Sequence, residues 1–138
     1  MSLSSFFKEN VSVVENIEYV VSDRFEDENG NSERWILRAL SPSEEAEIKR
    51  MATSRKAVKY GKYEEYTDNN KYLNMLVASS IVYPNLKDSE LQDSYGIKGA
   101  DNLLQEMLTL GEYTNLAIKV QELNGLSPFE ELVEEAKN

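Results

Sequence analysis

Apolar positions crowd most densely between Tyr72 and Tyr83, where Tyr72, Leu73, Met75, Leu76, Val77, Ala78, Ile81 and Val82 go round a helix on every side. A helix that is apolar all round belongs in the middle of a core. Thr67 or Asp68 can cap its start. Pro84 stops it, because the residue before a proline is pushed out of helical geometry. The run from Pro84 to Gly96 then reads as a loop of unusually particular composition.

Upstream the pattern changes to β. Val11, Val13, Val14, Ile17, Tyr19, Val20 and Val21 are β-branched or aromatic, and Asp27 to Asn31 carries the Asn-Gly pair of a tight turn. Arg34 to Leu40 reads as the returning strand, with Trp35 as a packing residue. A lone hairpin is marginal in water, so this one must pack on helices or take a third strand from residues 11–14. Before it, Leu3, Phe6 and Phe7 share one side of a short helical segment. That segment either docks on the core or serves as a hydrophobic arm for a partner.

Helical stripes fill the rest. Ser41-Pro42-Ser43-Glu44 supplies a cap, a proline at the first helical position and a capping box. The helix it starts runs to about Lys56 with a thin stripe of Ala46, Ile48, Met51 and Ala52, and is therefore peripheral. Ala57 to Tyr66 reads as a polar, tyrosine-rich connecting loop. Ala100, Leu103, Leu104, Met107 and Leu108 form a stripe, and Gly111 ends that helix or separates it from the next. Tyr113, Leu116, Ala117, Val120 and Leu123 form a second, closed by Gly125 as a left-handed cap. Ser127-Pro128 opens a last helix with Phe129, Leu132, Val133 and Ala136 inward. The expected class is α+β, mostly α: an N-terminal β-hairpin or small antiparallel sheet packed on a bundle of about five helices. The expected organisation is a single domain over residues 1–138, β-rich at about 11–40 and helical from 41.

Composition narrows the function. A net charge of −10 keeps the chain in solution and disfavours a nucleic-acid partner. Without cysteine or histidine there are no disulfides, no thiolate or imidazole ligands and no Ser-His or Cys-His catalysis. No apolar stretch reaches the roughly 18 to 20 residues that span a bilayer, and the first residues do not read as a signal peptide, so a cytoplasmic location is expected. Charge is uneven: Lys49 to Lys62 holds six basic residues and no acid, whereas Lys87 onward holds four lysines against eleven acids. Such polarity can steer partners, or further copies of the chain, which makes self-association one expectation.

The acids assemble no active site. Glu44-Glu45, Glu64-Glu65, Glu130-Glu131 and Glu134-Glu135 are neighbours whose side chains diverge on a helix, and Glu130 and Glu134 share a solvated face. Asp23 to Glu33 has calcium-like composition without the EF-hand order of ligands. The glycines form no phosphate-binding motif. No catalytic, metal or cofactor residues are expected, and the chain reads as a non-enzyme. Tyr60, Tyr63 and Tyr66, interleaved with basic residues, could stack on bases. The net charge favours a protein partner or a plain surface loop.

Several ordered elements together resemble the XkdN-like phage tail assembly chaperones of phages and defective prophages of Gram-positive bacteria. They are Ser22-Asp23-Arg24-Phe25, Trp35 to Arg38 before Ser41-Pro42, Tyr83 to Asp88, Leu91 to Gly96, Leu110-Gly111-Glu112-Tyr113, Leu123-Asn124-Gly125 and Glu135 to Asn138. The resemblance covers most of the chain from about residue 15 and implies binding to the long tape measure protein, with the tail tube protein as a further partner. It implies action in the bacterial cytoplasm and absence from the mature virion. By position, the partner-binding candidates are Tyr60, Tyr63 and Tyr66 of the connector, with Asn85, Leu86, Lys87, Asp88 and Tyr95 of the loop. Ala136-Lys137-Asn138 can be encoded by GCA-AAA-AAC, a slippery sequence, so a frameshifted longer product is a further expectation. The alternatives are a structural tail or connector component and a small acidic regulator of the DNA-mimic type.

Overall fold

The computed structural model describes residues 2–126. The last predicted helix, the Glu130 and Glu134 face and the terminal Ala136-Lys137-Asn138 lie outside them. Among the described residues there are five α-helices and two small antiparallel sheets, an α+β architecture.

The first sheet has three strands of three residues each, in the order β1 (Ile17–Tyr19), β2 (Trp35–Leu37), β5 (Ile81–Tyr83). In register, Ile17 faces Leu37 and Tyr19 faces Trp35. The third strand is therefore not drawn from residues 11–14, where Val11, Val13 and Val14 stand exposed. It comes from residues that the apolar pattern assigned to the end of the central helix. That helix, α2, covers Asn69–Ser79 and is capped by the Asp68 side chain. Beyond it, β-branched Ile81 and Val82 favour extended backbone, and Pro84 imposes it on Tyr83. Arg38 N–H donates to the Ser80 carbonyl at 2.8 Å, which begins the pairing with β2.

The acidic turn also differs from a tight hairpin. The Asn-Gly turn forms, with Gly30 at φ +80° and Asp27 Oδ1 accepting from the Asn29 and Asn31 N–H groups. It sits at the end of its own short ladder, where Glu33 N–H donates to Phe25 O at 2.7 Å, well beyond β1 and β2. Phe25 thereby reaches Trp35, with ring centroids 5.8 Å apart. The N-terminal residues form two short 3-10 turns whose side chains are all exposed, so this segment does not dock on the core.

Helix α1 (Pro42–Met51) starts with the full capping box of Ser41 and Glu44. It ends five residues before the expected Lys56. Thr53 Oγ1 turns back onto the Lys49 carbonyl, and the chain enters a second sheet of β3 (Thr53–Ala57) and β4 (Tyr63–Thr67). The predicted connector loop is thus half of a β-hairpin. Both of its faces are in water, so no apolar alternation marks it in the sequence.

Three further helices follow: α3 (Ser89–Tyr95), α4 (Ala100–Met107) and α5 (Leu110–Leu123). Gly111 lies in the first turn of α5 rather than ending α4. The break falls at Leu108, which is extended, and Thr109 then forms a capping box with Glu112. The two predicted stripes fall on α4 and α5 and turn inward. Leu37, Val77, Leu103, Leu104, Leu116 and Val120 are fully buried, so β2, α2, α4 and α5 share one core.

Polar ties orient the sheet on that core. Arg24 donates through Nε to Glu112 Oε2 at 3.1 Å and through Nη2 to the Met107 carbonyl at 3.0 Å, fastening the β1–β2 loop to the α4–α5 corner. Leu40 N–H donates to Asn124 Oδ1 at 2.7 Å, joining the end of the sheet to the end of α5. The Arg24 guanidinium, then the Ser22 hydroxyl and the Thr109 N–H, hold the Glu112 carboxyl far below the usual carboxylate range. The Arg38 guanidinium and the Ser41 N–H lower Glu44 to about 2.

Two outcomes follow for stability. Leu116→Ala should cost about 2–5 kcal/mol by chemical denaturation, because it empties a fully enclosed site. Both carboxyls titrate lower in the folded state, so their contribution is complete above the ordinary value of 4.5 and is lost as pH falls below it. Glu112→Gln should lower Tm at neutral pH and flatten the decline of Tm from about pH 4.5 towards 2. An unchanged acid limb would rule out the Arg24–Glu112 tie as its source.

Candidate functional site

Helix α2 is more apolar than its neighbours can cover. Helices α1 and α4 pack against it, yet Leu73 and Met75 stay only partly buried. A cavity of about 720 Å³ opens over its C-terminal half, floored by buried Ile48, Ile81 and Leu86 and by Met51 and Met75. A second, of about 1060 Å³, lies over its N-terminal half, where Leu73, Leu108, Leu110 and Tyr113 share the lining with polar Asp68, Asn70, Lys71, Asn74, Asn102, Gln105 and Thr109. Met51, Met75 and Asp101 line both, so the two form one open trough along α2. At 1.5 Å per residue the 11 residues of α2 make it about 16 Å long.

The rim is polar and electrostatically settled. Arg38 grips Glu44 with both terminal nitrogens, at 3.2 and 2.6 Å. Between α1 and α2, outside the trough lining, Tyr72 donates to Glu45 Oε1 at 2.7 Å, and burial together with that carboxylate pushes its hydroxyl up to about 12. Tyr113 donates to Asn74 Oδ1, and burial raises it likewise to about 12. Arg38, Glu44, Tyr72 and Tyr113 each keep one protonation state across neutral pH. Among the described residues, no group of three or more acidic side chains is placed to hold a metal ion. The trough is suited to holding an apolar surface rather than to proton transfer. Its two methionines are flexible and polarisable, which lets such a floor fit more than one shape.

The connector tyrosines stand elsewhere, on the β3–β4 hairpin. The register sets Ala57 opposite Tyr63 and Ser54 opposite Tyr66. Three residues apart on one strand, Tyr63 and Tyr66 therefore project from opposite faces of the ribbon and do not form one surface. Tyr60 lies in the turn with φ +68° and is 95 % exposed.

The loop candidates divide. Leu86 is 3 % exposed, packs with the core and also floors the trough. It is buried because the neighbouring polar groups hold the loop inward. Asn85 Oδ1 accepts the Lys87 N–H, Asp88 caps α3 through the Leu91 N–H, and Gln92 Nε2 donates to the Leu86 carbonyl at 2.8 Å. Gly96 ends α3 at φ +66°. Asn85 and Lys87 border the trough, while Tyr95 is half-exposed on α3. The trough residues missed by sequence reading are Met51, Leu73, Met75 and Leu110. The signal for Leu73 and Met75 was the excess of apolar sides on α2, which the periodicity assigned wholly to packing; Met51 on α1 and Leu110 on α5 carried none.

Comparison with known proteins matches residues 3–137 to the model of the family described as phage XkdN-like tail assembly chaperone protein. The uncharacterized protein YqbN of Bacillus subtilis strain 168 is 30 % identical over 138 residues, covering 99 % of this chain and 93 % of its own length. The phage-like element PBSX protein XkdN of the same strain is 29 % identical over 138 residues, with the same coverage. A crystal structure of the protein YqbN has the same fold, with a TM-score of 0.77 at 24 % identity, covering 92 % of this chain and 98 % of that one.

The division of the loop is testable. Leu86→Ala should lose about 2–5 kcal/mol of stability, whereas Lys87→Ala should stay within about 0.5 kcal/mol. Equal, small effects in urea denaturation would return Leu86 to the surface.

Proposed function

This chain belongs to the XkdN-like tail assembly chaperones of phages, and from that premise we propose that it shelters apolar helical segments of the tape measure protein in the α2 trough. The observation that carries this reading is the open, methionine-floored trough of about 16 Å along α2. That length suits about three turns of a partner helix presenting apolar residues at i, i+3, i+4 and i+7. A tape measure chain is long, and its exposed apolar stripes would aggregate before a tube encloses them. A methionine floor accepts stripes of varied shape, so many copies can bind along one chain. The net charge of −10 on each copy keeps the loaded complex in solution. Because the trough is open along its length, a bound helix can be surrendered to tail tube subunits as they assemble. The role is non-enzymatic, belongs to the cytoplasm of the bacterial host and ends before the virion is complete.

The test is co-expression with the tape measure protein of the same phage or prophage. The chaperone should bring it into the soluble fraction and co-purify with it. Met51→Asp and Leu110→Asp both change exposed side chains, so the variants should fold, with unchanged circular dichroism and Tm, yet lose at least tenfold in affinity. A tape measure protein that stays insoluble, or binding untouched by both variants, overturns the reading. Mass spectrometry of purified particles should find the chain absent. Its presence there would favour a structural tail component.

A further inference from the structure

We propose that Asp101 sets the register of a helix held in the α2 trough, by pairing with a lysine or arginine beside the middle of its apolar stripe. The inference rests on the trough reading and adds to it which helices the trough selects.

An apolar trough by itself selects little. A stripe that repeats at i, i+3, i+4 and i+7 looks nearly the same after each turn, so it can settle at positions about 5.4 Å apart. Met51 and Met75, which line both cavities, adapt to either fit and soften the choice further. Orientation in such a site is set by a polar group fixed in the apolar lining.

One residue is placed to supply that group. Asp101, in the first turn of α4, lines both cavities with Met51 and Met75, so its carboxylate stands where the two join. It is half-buried. Most other charges along the trough are already answered. Arg38 holds Glu44, Arg50 holds Glu47, and Asp68, which caps α2 by accepting the Lys71 N–H, stands with Lys71 at one end. Lys87 is exposed at the other end. None of the ion pairs among the described residues includes Asp101.

Covering this carboxylate has consequences. An apolar helix laid across it strips water from a charge and leaves it unpaired, which weakens binding. A cation on the helix at that place restores a partner, whereas an anion is repelled. Only one setting of a given helix brings its cation to Asp101, so the same contact chooses between registers and between helices. A carboxylate in the first turn also suits the dipole of α4, whose Gly99 N-cap makes no side-chain bond. That role stabilises the fold but does not rank ligands, and the ranking of ligands separates the two.

The test measures binding of the purified full chain to labelled helical peptides by fluorescence anisotropy. Three peptides share a leucine stripe at i, i+3, i+4 and i+7 and differ at one position beside its middle, which holds lysine, glutamine or glutamate. A fourth carries the lysine on the opposite face. The lysine peptide should bind at least about tenfold more tightly than the glutamate peptide, with the glutamine and displaced-lysine peptides between them. Asp101→Asn should bring the lysine and glutamate peptides within about threefold of each other, and Asp101→Lys should reverse their order. If both variants lower Tm and weaken all four peptides alike, Asp101 only supports α4 and the inference fails. It fails equally if the preference for lysine survives Asp101→Asn, or if the displaced lysine serves as well, because the net −10 of the chain then attracts any cation. Binding of the glutamine peptide that is lost with Met51→Asp, but with no ranking of lysine over glutamate, overturns this inference and leaves the trough reading standing. Binding untouched by Met51→Asp and Leu110→Asp, or no binding of any peptide, overturns both.

Discussion

A sheet of three strands, each three residues long, has too few hydrogen bonds and too little apolar face to persist without support. The rest of the described fold answers that constraint. Trp35 and Leu37 of the middle strand are buried against α2, α4 and α5, and the third strand is the direct continuation of α2. Sheet and helices are consequently one packing unit. Residues 88 positions apart meet at the Arg24–Glu112 pair, and residues 84 apart at Leu40 and Asn124, so the chain's two halves are fixed by side chains as well as by the core.

Those meetings explain why short, scattered elements carry the family resemblance. The Ser22 to Phe25 stretch supplies Arg24, and Leu110 to Tyr113 supplies the Glu112 it grips. Leu123-Asn124-Gly125 supplies the amide that receives Leu40, with Gly125 then at positive φ. Pro84 to Gly96 supplies a buried leucine, two caps and a glutamine tie. Each of these four elements holds parts of the described fold together. The trough proposed to face a partner, by contrast, is built from residues with little individual character, methionines and leucines along α2.

What the sequence alone determined was whatever short-range chemistry dictates. The Ser41–Glu44 capping box, the Asp68 cap, the inward stripes of α4 and α5 and the packing role of Trp35 are local or periodic signals. So is the α+β class. What only the tertiary structure decided was the fate of segments with two plausible states. Ile81 to Tyr83 is apolar enough to extend a helix, and it became a strand because the free edge of β2 supplies hydrogen-bond partners from a distance. Residues 53–67 lack alternation because neither face is buried, and backbone pairing across the turn at Lys59–Gly61 makes them a ribbon. Leu86 read as a loop residue until the fold drew it inward. The trough was hidden for the same reason. Hydrophobic periodicity reports that a side is apolar but not whether a neighbour covers it, and on α2 the neighbours fall short at Leu73 and Met75.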